Sequence, residues 1–174
     1  MIFHICGKRC GKLIKWLKMV EFRNLSEKGG GSMAGKSLMG TFEHTIDVKG
    51  RMAFPNKLRD RIGANFIVTI GPEHCLYVYS EEEWENFTEK IKTLTGEKAR
   101  AAKLFIINAC PVEADKQGRI LLPQNLRDYA YLEHDVVVLG VINRAEIWDK
   151  EHFNEVSGSI SEEMISDALS DIAF

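Results

Sequence analysis

Asp47-Val48-Lys49-Gly50-Arg51-Met52-Ala53-Phe54-Pro55-Asn56-Lys57-Leu58-Arg59-Asp60 returns later in the chain as Asp115-Lys116-Gln117-Gly118-Arg119-Ile120-Leu121-Leu122-Pro123-Gln124-Asn125-Leu126-Arg127-Asp128. Seven of the fourteen positions are identical at a single offset of 68, and most of the others keep apolar against apolar. Further on, Val78-Tyr79-Ser80-Glu81-Glu82-Glu83-Trp84 lines up with Ile147-Trp148-Asp149-Lys150-Glu151-His152-Phe153 at an offset of 69. One residue of drift over such a length marks a duplicated structural unit.

Each copy carries the same order of signals. Thr41, Glu43 and Thr45 alternate with Phe42, His44 and Ile46, the period of a half-buried strand. Asp47 to Gly50 is a turn, in which an Asp accepts local N–H groups and a Gly is free to take positive φ. Arg51 to Phe54 is the return strand, Pro55 suits the first turn of a helix, and Leu58 with Ile62 marks its apolar face before Gly63. Phe66 to Ile70 and Cys75 to Tyr79 are paired strands around a Gly71-Pro72-Glu73-His74 turn. Ser80 and Glu83 have the spacing of a capping box ahead of a helix that places Trp84, Phe87 and Ile91 on one face. The unit is β-turn-β-α-β-turn-β-α, an α+β pattern.

Between the copies, Lys98 to Asn108 reads as a connecting helix with Ala101, Leu104, Phe105 and Asn108 on one face. The second copy places strands up to Ala114, over Arg119–Leu122, Val136–Val141 and Ala145–Trp148, and a helix from Asp149. Beyond it, Ser161 to Ile172 is acidic, with Met164, Ala168 and Ile172 in line, as a helix or a solvated tail.

At 174 residues and 45% hydrophobic composition the chain can bury a core. No apolar run reaches the ~18 residues of a membrane span, so a soluble protein is expected. The net charge of −2 is unevenly spread, +6 over residues 1–38 and −8 over the remainder. Attraction of nucleic acid to the duplicated part must therefore come from a few concentrated basic loops.

Residues 1–38 combine an apolar and basic segment, Leu13 to Phe22, with a Gly-rich linker, and lack the uninterrupted apolar stretch of a signal peptide. Gly30-Gly31-Ser32-Met33-Ala34-Gly35-Lys36-Ser37 fits the spacing of a phosphate-binding loop, but polar residues precede it and a strand pattern follows, where that loop needs a strand before and a helix after. Met33 or Met39 is the expected start of translation. Cys6, Cys10, Cys75 and Cys110 are too few and too irregular for a disulfide framework; Cys6 and Cys10 with the nearby His4 give a faint metal signal, against which all four fit reduced thiols. No His recurs between the copies or shares a nucleophile context with a Cys or Ser, so neither catalysis, nor a metal, nor a cofactor is expected.

What recurs is Gly-Arg beside a turn Asp. Asp47, Gly50, Asp115 and Gly118 are read as turn residues, with a local role for the carboxylates. Arg51 and Arg119, with Lys49 and Lys116 in the same turns, are read as the binding residues, because a guanidinium fork matches phosphate oxygens and guanine edges. Arg59, Arg61 and Arg127 are expected on a solvated helix face or in ion pairs with Asp60 and Asp128.

The doubled Asp-x-x-x-Arg, as Asp47 to Arg51 and Asp115 to Arg119, is flanked by Gly40-Thr41-Phe42-Glu43-His44-Thr45-Ile46 before the first, Tyr79 to Trp84 after it, and Glu146-Ile147-Trp148-Asp149-Lys150 after the second. From about Met39 to Val156 the chain resembles the MraZ family of bacterial transcriptional regulators. The resemblance implies two tandem SpoVT-AbrB-type domains, swapped-hairpin β-barrels with connecting helices, over residues 41–87 and 110–156, with 1–38 an extension and 157–174 an acidic tail. It further implies a cytoplasmic, nucleoid-associated homo-oligomeric ring that binds double-stranded promoter DNA at direct repeats, in the cell-division and cell-wall cluster holding the family's own gene. Gln117 stands where the first turn has Lys49, which makes the second loop the expected weaker binder. Two rival readings are a nucleotide-binding enzyme using Gly30 to Ser37 and a purely structural oligomer whose arginines only tie turns together.

Overall fold

The computed structural model describes residues 37–172. The phosphate-loop-like stretch before Ser37 and the Cys6/Cys10/His4 group lie outside the described residues. Residues 37–153 belong to one compact unit, and residues 154–172 to another.

The first copy supplies β1 (Leu38–Thr45), β2 (Arg51–Ala53), α1 (Asn56–Ile62), β3 (Asn65–Gly71), β4 (Cys75–Ser80) and α2 (Glu81–Lys92). A connecting helix α3 (Gly96–Ile107) leads to β5 (Cys110–Glu113), β6 (Arg119–Leu121), α4 (Gln124–Tyr129), β7 (Asp135–Ile142), β8 (Arg144–Asp149) and α5 (Lys150–Gly158). In the other unit Ser161 caps α6 (Glu162–Ser170), its hydroxyl accepting the Met164 N–H, so the acidic end is helical.

Strand pairing joins the two copies of this α+β fold within residues 37–153. β1, β7, β8, β4, β3 and β5 form a six-stranded antiparallel sheet in that order, and β2 pairs with β6 in a separate two-stranded ribbon. The copies therefore exchange strands: β1 of the first lies on β7 of the second, and β5 of the second on β3 of the first. The return strand β2 meets the residues that follow its own β1 through the Ile46–Met52 bridge and the Asp47 N–H to Arg51 O bond, and spends its ladder on Arg51–Leu121, Met52–Ile120 and Ala53–Arg119. A three-residue strand is marginal alone, and crossing to the other copy joins two such strands over a shared core.

Met52 and Ile120 point inward from the ribbon and are nearly fully buried, with Phe54, Leu58, Leu122 and Leu126 behind them. Phe54 lies against Phe66, ring centroids 5.0 Å apart, which seats the ribbon on the main sheet. Burying each of these side chains stabilises the fold by about 2 kcal/mol.

Some local signals hold and others do not. Leu58 and Ile62 are the buried residues of α1, which stops at Gly63 with φ 100. Ser80 Oγ accepts the Glu83 N–H at 3.1 Å, while the Glu83 carboxylate accepts from Asn143 Nδ2 at 2.9 Å across the sheet. The connecting helix packs through Ala102 and half-buried Phe105, whereas Ala101 and Leu104, expected on its inner face, are exposed. Leu104-Phe105-Ile106-Ile107 is apolar all round the helix, so periodicity alone chose the wrong edge of that face.

Candidate nucleic-acid interface

The two Asp-x-x-x-Arg stretches form turns with the same bonding pattern at the two ends of the ribbon. In the first, Asp47 Oδ1 accepts the N–H groups of Lys49 and Arg51, both at 2.9 Å, and Gly50 N–H donates to Asp47 O at 2.8 Å. In the second, Asp115 Oδ1 accepts from Gln117 at 2.8 Å and Arg119 at 2.9 Å, and Gly118 N–H donates to Asp115 O at 2.8 Å. The other carboxylate oxygen holds the arginine, Arg51 Nε to Asp47 Oδ2 at 2.8 Å and Arg119 Nε to Asp115 Oδ2 at 2.9 Å. Asp47 thus organises the turn and aims its arginine at once.

The charged form of each carboxylate is the bonded one. The Arg51 N–H on Asp47 is the largest influence, joined by the Arg51 side chain and the Lys49 N–H, and together they hold its pKa down to about 2. Asp115 is lowered in the same way, led by the Arg119 N–H. Both arginines keep about 40% of their side-chain surface exposed. A guanidinium has five N–H donors, and one carboxylate leaves several of them for a ligand.

Strand alternation decides the rest. With Met52 and Ile120 inward, Arg51 and Ala53 of β2 and Arg119 and Leu121 of β6 share the outer face, Arg51 across from Leu121 and Arg119 across from Ala53. Lys49 and Lys116 are exposed in the flanking turns. The four residues chosen from the sequence as binding residues are thus brought to one ribbon.

Arg59 and Arg127 join them, which their sequence context hid. Arg127 lies over the turn of the first copy, where a Cβ on Gly50 would sit 2.7 Å from its Nε. Arg59 lies over the turn of the second, where a Cβ on Gly118 would sit 1.7 Å from its Nη1. Arg127 also donates from Nε to Leu122 O at 3.2 Å and from Nη2 to Gln124 Oε1, and Asp128 accepts from Gln124 Nε2 at 2.6 Å. Neither arginine sits on a free helix face; each is half-buried across the other copy's glycine. The one sequence signal for this was their recurrence at the same offset of 68 as the turns.

Backbone bonds tie the ends together. Leu122 N–H donates to Gly50 O and Phe54 N–H to Gly118 O, both at 2.9 Å, so each turn is held by the other copy's strand. A shallow cleft of about 320 Å³ beside the ribbon is lined by Arg51, Arg119, Asp47, His44 and His134 among others. Burial pushes His44 below the usual histidine range, which favours its neutral form. Among the described residues no cluster of three or more His, Cys, Asp or Glu is placed to hold a metal ion.

A family model described as "MraZ protein, putative antitoxin-like" matches residues 37–106 and again 105–172. The chain belongs to the MraZ family. A protein of Thermoanaerobacter sp. named transcriptional regulator MraZ is 49% identical over 140 residues, 78% of this chain and 98% of its own length. Relatives of the same name from Caldanaerobacter subterraneus and Acetivibrio thermocellus are 49% and 45% identical over 137 and 135 residues, 76% and 75% of this chain and 96% and 94% of theirs. The doubled MraZ match coincides with the doubled Asp-x-x-x-Arg turns, one in each matched segment.

Proposed function

We propose that this protein is a non-enzymatic, sequence-specific DNA-binding regulator of transcription, and that the β2/β6 ribbon with its two turns is the DNA-binding surface. The observation that carries this reading is the gathering of Lys49, Arg51, Lys116, Arg119, Arg59 and Arg127 around one exposed two-stranded ribbon of an otherwise acidic body. The major groove of B-form DNA admits a two-stranded ribbon, and arginines on its outer face reach guanine edges or phosphates. The names of the relatives support the same reading. No helix among the described residues is long and apolar enough to cross a membrane.

The finer proposal follows the family. The protein acts in the cytoplasm on the nucleoid, at the promoter of the cell-division and cell-wall cluster that includes its own gene, as a ring of identical subunits on direct repeats. One ribbon offers few phosphate contacts, so tight binding at physiological salt needs several ribbons engaged together. Leu104 and Ile107 on α3, 53% and 71% exposed, are apolar surface available for contact between copies. Domain boundaries at 41–87 and 110–156 belong to this same proposal, as the two repeats each carrying one turn.

Fluorescence anisotropy with duplexes bearing direct repeats tests it. Arg51→Ala and Arg119→Ala are each expected to weaken binding about 10- to 100-fold with an unchanged melting temperature, the range for loss of a bidentate base contact. Inserting half a helical turn between repeats is expected to weaken binding further than altering the intervening bases. The purely structural reading draws on the Asp47–Arg51 and Asp115–Arg119 pairs; it wins if both variants unfold, or if both bind DNA like the wild type.

A further inference from the structure

The two ends of the ribbon are alike in backbone and unlike in surface. At one end stand Val48, fully exposed at the tip of its turn, then Lys49 and Arg51, with Leu121 across from Arg51 and 57% exposed. At the other stand Lys116 and Gln117, then Arg119, with Ala53 across from it. A local two-fold passes between Met52 and Ile120 and relates the turns, the ladder and the bonds from Leu122 and Phe54. The positions it relates that differ in chemistry are Val48 and Lys116, Lys49 and Gln117, and Leu121 and Ala53.

Neither apolar side chain belongs to the buried core. Ile120, not Leu121, is the inward residue of β6, and turn positions favour polar residues where Val48 stands. Yet the backbone on both sides of Val48 is fixed, since Asp47 Oδ1 holds the N–H groups of Lys49 and Arg51. A branched apolar group is thereby presented to solvent on a rigid support, beside two cations. The charge around it selects an anionic partner, and the major groove is the polyanion surface that also displays an apolar group, the thymine 5-methyl. Gln117 has the matching chemistry for the other end, since a carboxamide pairs with the N6 and N7 edge of adenine.

We infer that the two ends of one ribbon read different bases, the Val48/Leu121 end taking thymine methyls and the Gln117 end taking adenine, so that a single subunit recognises a non-palindromic element. This rests on the reading of the ribbon as a DNA-binding surface and adds what it distinguishes. A subunit whose ends were alike would read a palindrome, as symmetric dimers do. With unequal ends each subunit has a direction on the duplex, and neighbours related by rotation repeat that direction.

The test is selection from a random duplex library with the full chain and two variants that equalise the ends. Val48→Lys/Lys49→Gln/Leu121→Ala makes both ends like the second, and Lys116→Val/Gln117→Lys/Ala53→Leu makes both like the first. Wild type is expected to enrich a non-palindromic motif, and each triple variant a palindrome built from one half of it. With wild-type protein alone, replacing thymine by deoxyuridine in the selected site is expected to weaken binding about fourfold per methyl, in one half only. A palindromic wild-type motif, one motif shared by all three proteins, or an equal deoxyuridine effect in both halves overturns the inference while DNA binding stands. Enrichment of no motif by wild-type protein overturns both.

Discussion

Replacing Gly118 by alanine tests how the turn is built. Gly118 has φ +75, a backbone region that an L side chain enters at a cost of about 1 kcal/mol. The new Cβ would fall 1.7 Å from Arg59 Nη1 and 2.9 Å from its Cζ, so the guanidinium must leave. Arg59 is a flexible side chain, and its departure sacrifices packing over the turn without forcing the backbone to move. The two effects together are expected to destabilise by ~1–2 kcal/mol, a melting-point loss of roughly 3–8 °C for a unit of this size. Gly50→Ala is expected to cost at least as much, although its contact is longer at 2.7 Å. The side chain it displaces, Arg127, has bonds to Leu122 O and Gln124 to lose, and φ at Gly50 is +81. Calorimetric melts at fixed protein concentration measure both, and the double-mutant cycle with Arg59→Ala isolates the collision. In the Arg59→Ala background Gly118→Ala should retain the φ penalty and shed the steric part. A Gly118→Ala protein that melts within 1 °C of wild type, or a cycle in which Arg59→Ala makes no difference, refutes this account.

Three further outcomes are expected. Arg144 and Glu146 form a pair at 2.8 Å with side chains only 15% and 6% exposed, Glu146 also accepting from Trp148 Nε1, so Arg144→Met should cost about 3–5 kcal/mol in denaturant titration. The Arg144→Met/Glu146→Met protein should be the more stable of the two, and equal stabilities would contradict the burial of an unpaired carboxylate as the cause. Because the folded-state pKa of Asp47 lies below its ordinary 3.8, at about 2, its contribution is complete above pH 3.8 and disappears as pH falls from there to about 2. Asp47→Asn/Asp115→Asn should flatten the melting temperature over that window, and an unchanged slope would place the acid sensitivity elsewhere. Finally, a chain begun at Met39 lacks Leu38, which is 3% exposed and pairs with Ile142, and it should melt lower by the equivalent of ~2 kcal/mol; a chain begun at Ser37 should not.

The elements were legible because their causes are local. Asp47 and Gly50 announce a turn, Pro55 and Leu58 a short helix, and Ser80 with Glu83 a helix start, and each is found there. Which strands pair was not legible, because Arg51–Ala53 is equally able to ladder with its neighbour in sequence or with its counterpart in the other copy. The observed pairing brings Met52, Ile120, Phe54 and Leu122 into one buried core, which long-range packing rewards and local signals do not register. Arg51 and Arg119 could be singled out from residue type and recurrence. Arg59 and Arg127 could not, since the glycines they cover lie about 60 and 80 residues away in sequence. The Arg144–Glu146 pair left a fainter mark, two charges inside an otherwise apolar strand run, for which period-2 reading offers no partner.

Exchange of strands between the copies also changes what a turn is made of. The Gly50 turn is shaped by Asp47 of its own copy, but it is held from outside by the Leu122 N–H and Arg127 of the other. The Gly118 turn is shaped by Asp115 and held by the Phe54 N–H and Arg59. Each tip is therefore held by residues of both copies. A homodimer achieves such reciprocity with two identical chains and must then present two identical tips. In this chain the same reciprocity is intramolecular, so positions that carry the scaffold, Asp, Gly, Arg and the buried ribbon residues, remain matched while exposed Val48, Lys49 and Leu121 differ from Lys116, Gln117 and Ala53. The duplication keeps the stability of a two-fold arrangement and releases its surface from two-fold symmetry.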